Sequence, residues 1–258
     1  MKGVDIGMNS IYGKLSSEVY EIDKYIGKSF GDLEYYQDRL KGIEGKVLEP
    51  AVGNGRILIP LLENGLDIEG IDSSNNMLEL FNKNCNERGI HTSCYKQDMS
   101  NFTINQKYEA IIVPTGSFLL LHQLEEAISS LKCFYEHLEK NGRLILDIFL
   151  PENTKEGFVS KRGFTNPQGD TIMLEETLVK IDQINQFAVY HNRYEKWRQG
   201  KLIDSELEIF PLKWYGVEEF RLILEKIGFT SIVISSDYKY NQYPTKASQI
   251  ITFEATKY

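Results

Sequence analysis

"VLEPAVGNGRILIPL", residues 47–61, places an apolar run, an acid at its end and two glycines one after another. The apolar residues form a short buried strand. Gly53 and Gly55 then let the backbone come close to a ligand where a Cβ would stand in the way. "GRILIPLLENG" reads as a helix closed by Gly65. In a parallel α/β sheet, ligands bind past the carboxyl ends of the strands, beside the first one. This loop therefore sits under a ligand, and Glu49 at the strand end accepts hydrogen bonds from a cationic one. Two other phosphate-binding loops do not fit. Gly53-x-Gly55 is followed by Ile57 and Leu58, so the third glycine of G-x-G-x-x-G is missing, and there is no G-x-x-x-x-G-K-[ST].

Strand and helix patterns alternate outward from this stretch. "LDIEGID" is the next strand, and "SNNMLELFNKNCNERG" a helix with a Ser/Asn start and a Gly89 stop. "HTSCYKQD" and "YEAIIVPTG" are strands, and "QLEEAISSLKCFYEHLEKNG" is a helix ended by Asn141-Gly142. "RLILDIFLP" is a near-continuous apolar strand, as expected where helices cover both faces of a parallel sheet. Such alternation gives a doubly wound, right-handed parallel sheet.

After Pro151 the pattern changes to long alternating segments without helices: "GDTIMLEETLVKID", "QFAVYHNRYEKWRQG" and "LIDSELEIFPLKW". Gln199-Gly200 suits a hairpin turn. Residues 151–215 are thus an antiparallel sheet inserted into the main domain, which comprises 46–150 and 216–258. Residues 1–45 form a tyrosine-rich helical lead-in carrying Tyr12, Tyr20, Tyr25, Tyr35 and Tyr36.

The 258 residues are 41% hydrophobic and 26% charged, an ordinary globular balance, and the sequence has no internal repeat at a fixed period and no low-complexity tract. A net charge of −8 repels a nucleic acid overall. There is no apolar run of membrane-spanning length and no signal-type start. Three scattered cysteines make neither a disulfide framework nor a zinc site. The expectation is a soluble cytoplasmic protein, monomer or homodimer, with no metal.

The stretch 49–55 resembles motif I of the class I S-adenosylmethionine-dependent methyltransferases, [D/E]-x-G-x-G-x-G, with Ala51 in place of the first glycine. The resemblance continues in order through Asp72 in "IEGIDSSNNML", Asp98 in "YKQDM", "YEAIIVPTGSF" and the closing "IGFTSIVI…IITFEATK" pair. It implies a seven-stranded, mostly parallel Rossmann-like sheet with a reversed last strand. It also implies that Asp72 holds the ribose hydroxyls and Asp98 meets the adenine. The lead-in and the inserted sheet look like the branch of small-molecule and sugar-amine N-methyltransferases.

The implied cofactor, S-adenosylmethionine, leaves as S-adenosylhomocysteine. Its expected contacts are Tyr20, Glu49, Ala51, Gly53, Asn54, Gly55, Arg56, Asp72, Ser73, Met77, Gln97, Asp98, Met99, Pro114, Thr115 and Phe118. Arg56 is either a surface residue or a partner of the cofactor carboxylate, and Met77 either core or adenosine contact. Around the acceptor the candidates are Tyr36, Ser117, His122 and Tyr215, the last either lining a pocket or part of the sheet's own core. A neutral His122 imidazole after the fourth strand is a candidate general base, or else a helix-capping or surface residue. Asp147, inside an apolar strand, needs a partner and reads as structural.

The expected reaction is methyl transfer to an amine or hydroxyl of a small molecule. "PTGS" lacks the Asn/Asp-Pro-Pro-Tyr/Phe signature of base and glutamine-amide methylation, which with the acidic charge disfavours nucleic acid. Rival readings are a methyltransferase acting on tRNA or protein, a non-catalytic S-adenosylmethionine-binding protein, and a nucleotide-dependent oxidoreductase.

Overall fold

Val47, Leu48, Glu49 and Pro50 are all buried, and they form strand β1 (Val47–Pro50) at the centre of the main sheet. The structure, a computed structural model, describes residues 11–152 and 154–258. Two helices precede β1, α1 (Lys14–Asp23) and α2 (Asp32–Arg39). There follow α3 (Leu58–Glu63), β2 (Ile68–Asp72), α4 (Asn75–Arg88), β3 (Cys94–Lys96), β4 (Tyr108–Val113), α5 (Leu124–His137) and β5 (Leu138–Ile148). A second sheet is made of β6 (Val159–Thr165), β7 (Thr171–Asp182), β8 (Phe187–Arg198) and β9 (Lys201–Lys213). The chain returns through α6 (Val217–Ile227), β10 (Phe229–Ser236) and β11 (Ile251–Lys257).

The main sheet runs β10-β11-β5-β4-β1-β2-β3. β1, β2, β3, β4 and β5 pair in parallel, whereas β11 is antiparallel to both β5 and β10. This is a seven-stranded, mostly parallel sheet with a reversed last strand. Its strands read as continuous apolar runs because both faces are covered. Leu48, Ile111 and Leu146 meet Phe118, Phe134, Phe220 and Phe253 on one face. Val47, Ile112 and Ile145 meet Tyr36, Leu58, Leu61 and Phe81 on the other. α4 begins where its Ser74 side chain accepts from the Met77 N–H at 3.4 Å and ends at Gly89, φ 63°.

α5 is shorter than its periodicity suggests. It stops at His137, because Leu138 turns extended and pairs with Tyr108. Asn141, at φ 64°, sits in the irregularity after which Arg143 pairs with Ala110.

The second sheet is antiparallel throughout, in the order β6-β7-β8-β9. Gln199 (φ 49°) and Gly200 (φ 75°) make the β8–β9 turn with both central residues left-handed, which matches the twist of a hairpin. One face of this sheet holds α1: Leu15 and Val19 pack among Ile172, Leu174 and Tyr194. The first turn of α1 has no side-chain cap of its own. Glu206 of β9 supplies one, accepting from the Leu15 N–H at 2.8 Å and the Ser16 N–H at 3.2 Å. Next to it, Glu208 accepts from the Tyr12 N–H at 2.7 Å. Among the described residues, no helix is long and apolar enough to cross a membrane.

Candidate active site

The loop after β1 turns on left-handed backbone at Ala51 (φ 55°), Gly53 (φ 59°) and Gly55 (φ 89°). A Cβ on Gly55 would lie 2.8 Å from Ile59 Cδ1 and 2.9 Å from Phe81 Cδ2, so this position needs glycine for space as well as for φ. Gly55→Ala is expected to cost about 2–4 kcal/mol from overpacking and backbone strain. At about 2–4 °C per kcal/mol for a chain of this size, thermal denaturation would show the midpoint falling by about 4–16 °C. Ala51 holds its left-handed conformation with a Cβ in place, at a cost of about 1–2 kcal/mol.

Asp72, at the end of β2, clasps this loop. Its Oδ2 accepts from the Gly53 N–H at 2.9 Å and its Oδ1 from the Ser74 N–H at 2.8 Å. A carboxylate offers about four acceptor sites, so both oxygens keep capacity for a ligand's hydroxyls. Burial raises the Asp72 pKa, and the backbone N–H groups around it oppose the rise.

On the other side of the loop lie Glu49 and Arg56. Glu49 is 3% exposed, and its Oε2 has no hydrogen-bond partner. Burial pushes its pKa well up, against the pull of the Arg56 charge. Arg56 is paired with Asp32 through both terminal nitrogens and donates to the Lys28 carbonyl at 2.8 Å. Its Nε is left without a partner. Burial alone would raise the Asp32 pKa. The Arg56 hydrogen bond and charge, with the Phe30 and Leu33 N–H groups, hold it below the usual range.

α1 is strapped over the loop. Asn54 Nδ2 donates to Glu21 Oε2 at 2.7 Å and to the Lys24 carbonyl at 2.9 Å, and Asn84 Nδ2 donates to the same Glu21 oxygen at 3.2 Å. The Tyr20 ring comes within 3.8 Å of where a Cβ on Gly53 would stand. Burial pushes the Tyr20 hydroxyl up to about 12, so it stays a neutral donor.

At the carboxyl end of β5, Asp147 is fully buried. Its Oδ1 accepts from Thr252 Oγ1 at 2.7 Å, and its Oδ2 from the Thr115 N–H at 2.8 Å and Tyr238 Oη at 3.1 Å. The Tyr36 hydroxyl, beside Asp147 yet outside hydrogen-bond geometry, is a buried group without a partner. Burial pushes the Asp147 pKa up to about 6 despite these bonds. An unfolded Asp titrates near 3.9. The fold therefore holds an extra proton between those values, which stabilises it below about pH 4 and is lost as pH rises through about 6. Relative to Asp147→Asn, the wild type is expected to lose up to about 3 kcal/mol between pH 4 and 7, about two units at 1.36 kcal/mol each. Denaturant titrations of both proteins at pH 4, 5.5 and 7 check this.

Between the two sheets, next to the β4 loop, lies a cavity of about 400 Å³. Phe149 borders it from just past β5, Phe158 from just before β6, Glu176 and Tyr190 from β7 and β8, and Ala247 and Ile250 from the β10–β11 connection. Phe149 links it to the loop, since a Cβ on Gly116 would stand 2.3 Å from that ring.

Residues 47–142 match the family described as a methyltransferase domain. Over 214 residues the chain is 34% identical to the glycine/sarcosine N-methyltransferase of Halorhodospira halochloris, covering 82% of this chain and 75% of that one. The chain belongs to the S-adenosylmethionine-dependent methyltransferases. It is also 28% identical over 115 residues to the dTDP-3-amino-3,4,6-trideoxy-alpha-D-glucopyranose N,N-dimethyltransferase of Streptomyces venezuelae, covering 44% of this chain and 47% of that one. The fold is that of an S-adenosylmethionine-dependent methyltransferase from Clostridium acetobutylicum, with a TM-score of 0.75 at 16% identity over 93% of this chain and 97% of that one.

The crevice fits this methyltransferase cofactor on its own geometry. An orphaned carboxylate oxygen on Glu49 and an orphaned guanidinium nitrogen on Arg56 complement the ammonium and carboxylate of its amino-acid end. Asp72, with acceptor capacity left on both oxygens, would accept from the sugar hydroxyls.

The structure brings Tyr20, Glu49, Ala51, Gly53, Asn54, Gly55, Arg56 and Asp72 together around one loop. Ser73 is exposed beside Asp72, and Met77 is buried in the first turn of α4. Asp98 is exposed past β3 and accepts from the Ser100 N–H at 2.7 Å. The Gln97 amide closes a turn with Thr103, and Met99 packs against the sheet core. Pro114 is buried, while Thr115, at φ 56°, is half-buried over Asp147. Ser117 Oγ donates to the Pro114 carbonyl at 3.2 Å.

Phe118 and Tyr215 lie elsewhere, inside the core against Phe220, at ring distances of 5.5 and 5.1 Å. The His122 Nε2 is 3.0 Å from Gln123 Nε2, its ring is 6.4 Å from Phe187, and burial lowers its pKa. It does not border the cavity. Sequence reasoning did not single out Asp32; "GDLEYY" has only the look of a helix start.

Proposed function

We propose that the chain transfers a methyl group to an amine nitrogen of a small molecule. The cavity beside the β4 loop carries this reading: about 400 Å³ is the size of a small-molecule site. Two relatives support an amine. One is named for glycine and sarcosine, the other for an amino sugar. The net charge of −8 favours a free small molecule over a nucleic acid. The proposal extends to a cytoplasmic protein that is a monomer or homodimer.

Bound S-adenosylmethionine supplies a methyl group already activated on a sulfonium, so the protein's task is to align and enclose. Glu49 and Arg56 hold the amino-acid end, and Asp72 fixes the sugar. Tyr20 and the α1 strap exclude water from the loop, which strengthens each of these interactions. Asp147 holds the Thr115 N–H, fixing the left-handed turn at the end of β4, and Phe149 packed on Gly116 sets the acceptor's side of that turn. The acceptor nitrogen attacks with its lone pair, so an amine that enters as its ammonium first gives up one proton to solvent. A positioned base would add about 10²–10⁴ in rate.

The test is incubation of purified protein and S-adenosylmethionine with panels of small amines, small hydroxyl compounds, bulk tRNA and proteins, measuring S-adenosylhomocysteine. Turnover confined to the amine panel is expected. Turnover only with hydroxyl compounds, tRNA or proteins, or cofactor binding without any turnover, would overturn the reading.

A further inference from the structure

We infer that the acceptor is a cationic amine with an apolar body and no anionic group. This deepens the proposed function and rests on it, since it takes the cavity beside the β4 loop as the acceptor chamber. Apolar walls come from Phe149, Pro151, Phe158 and Ile250, and the polar side chains facing them are Glu152, Glu176, Ser160, Ser248 and the Tyr190 hydroxyl. Among the described residues, no lysine, arginine or histidine lines the chamber. The aromatic rings and two carboxylates together suit an ammonium group, through cation–π contact and charge.

The surroundings have the same bias toward acceptors. Glu176 pairs across the strands with Asn192, whose buried Oδ1 has no hydrogen-bond partner. Glu208, directly opposite Asn192 on β9, is mostly buried and takes three hydrogen bonds without a cation: from the Tyr12 N–H, Asn192 Nδ2 and Tyr194 Oη. Arg162 pairs with Glu176, Nε 3.5 Å away, and is shared with Asp23 at 3.0 Å through Nη1. Ser160 Oγ donates to Glu176 at 3.0 Å. A carboxylate or phosphate placed here would face Glu152 and Glu176, with no free cation among the described lining residues to meet it. The chamber thus rejects the anionic part of an amino acid or a nucleotide sugar, whereas an alkyl or arylalkyl ammonium fills it.

The probes are 2-phenylethylamine and L-phenylalanine, which differ by one carboxylate. Each is titrated into the full-length protein saturated with S-adenosylhomocysteine, and each is tried as a methyl acceptor with S-adenosylmethionine. Phenylethylamine is expected to bind at least about tenfold more tightly than phenylalanine, the effect of one unpaired like charge. In Glu152→Gln/Glu176→Gln this preference is expected to collapse to about threefold or less, with KM for the amine raised about tenfold and kcat and cofactor affinity retained. The inference is overturned if phenylalanine binds as well as phenylethylamine, if the double variant keeps the preference, or if neither compound binds below about 10 mM. The methyltransferase reading fails separately, through absence of cofactor binding or of any turnover on amines. Turnover on acid-bearing amines sinks this inference and leaves that reading intact.

Discussion

Asp72→Ala is expected to abolish measurable binding of S-adenosylhomocysteine, a loss of about 100-fold or more. Two effects combine. The carboxylate is the proposed acceptor for the sugar hydroxyls, and it also holds the Gly53 and Ser74 N–H groups at 2.9 and 2.8 Å. Hydrogen bonds to a charged group contribute about 1.5–3 kcal/mol each, and tenfold in affinity is about 1.4 kcal/mol, so losing two of them exceeds 100-fold. Asp72→Asn keeps the shape and one acceptor oxygen, and its loss is expected to be intermediate. Calorimetric titration of the three proteins measures this, with circular dichroism showing that each is folded. An affinity for Asp72→Ala within threefold of wild type would mean that Asp72 serves the turn and not the ligand.

Asp32→Ala is expected to be the most destabilising single change in the site. Arg56 would be left buried with one of its three side-chain hydrogen bonds and no counter-charge, and breaking such a pair costs about 3–5 kcal/mol. At about 2–4 °C per kcal/mol, the thermal midpoint falls by about 6–20 °C. Arg56→Met/Asp32→Ala removes both charges, and replacing a buried ion pair by apolar groups is often neutral, so it is expected to recover most of that stability. Cofactor affinity is not expected to recover, because the unpartnered Nε has gone with the arginine. That separation of stability from binding is what a purely structural pair would not show. A midpoint within 2 °C of wild type for Asp32→Ala would show that water or another group relieves Arg56.

Much of the site was readable because its residues lie at strand ends, where a local pattern carries positional meaning. "VLEPAVGNG" gave the buried strand, the acid and the left-handed turns in nine residues, and Asp72 followed from the next strand. The Ala51 departure from the glycine pattern turned out to be a non-glycine residue in the left-handed region. Pairings over distance left no such mark. Arg56 reads equally as a surface residue or a ligand contact until Asp32, 24 positions earlier, is folded against it. The cap of α1 comes from Glu206, 191 positions from Leu15, so no capping signature exists near the helix. Aromatic residues were ambiguous for a related reason: a ring suited to a pocket is equally suited to a core. Tyr215 and Phe118 proved to be core, while Phe149 and Phe158, not singled out in the sequence, border the cavity. The early end of α5 reflects tertiary pairing of Leu138 with Tyr108 winning over helical periodicity.

The most direct test of the central claim is a crystal structure of the protein grown with S-adenosylhomocysteine. The account predicts the ribose hydroxyls on Asp72, the amino-acid end between Glu49 and Arg56, and the sulfur turned toward Thr115 and the Phe149 side of the cavity. Density for the ligand anywhere else, or a crevice past residues 49–55 left empty at saturating ligand, would contradict it.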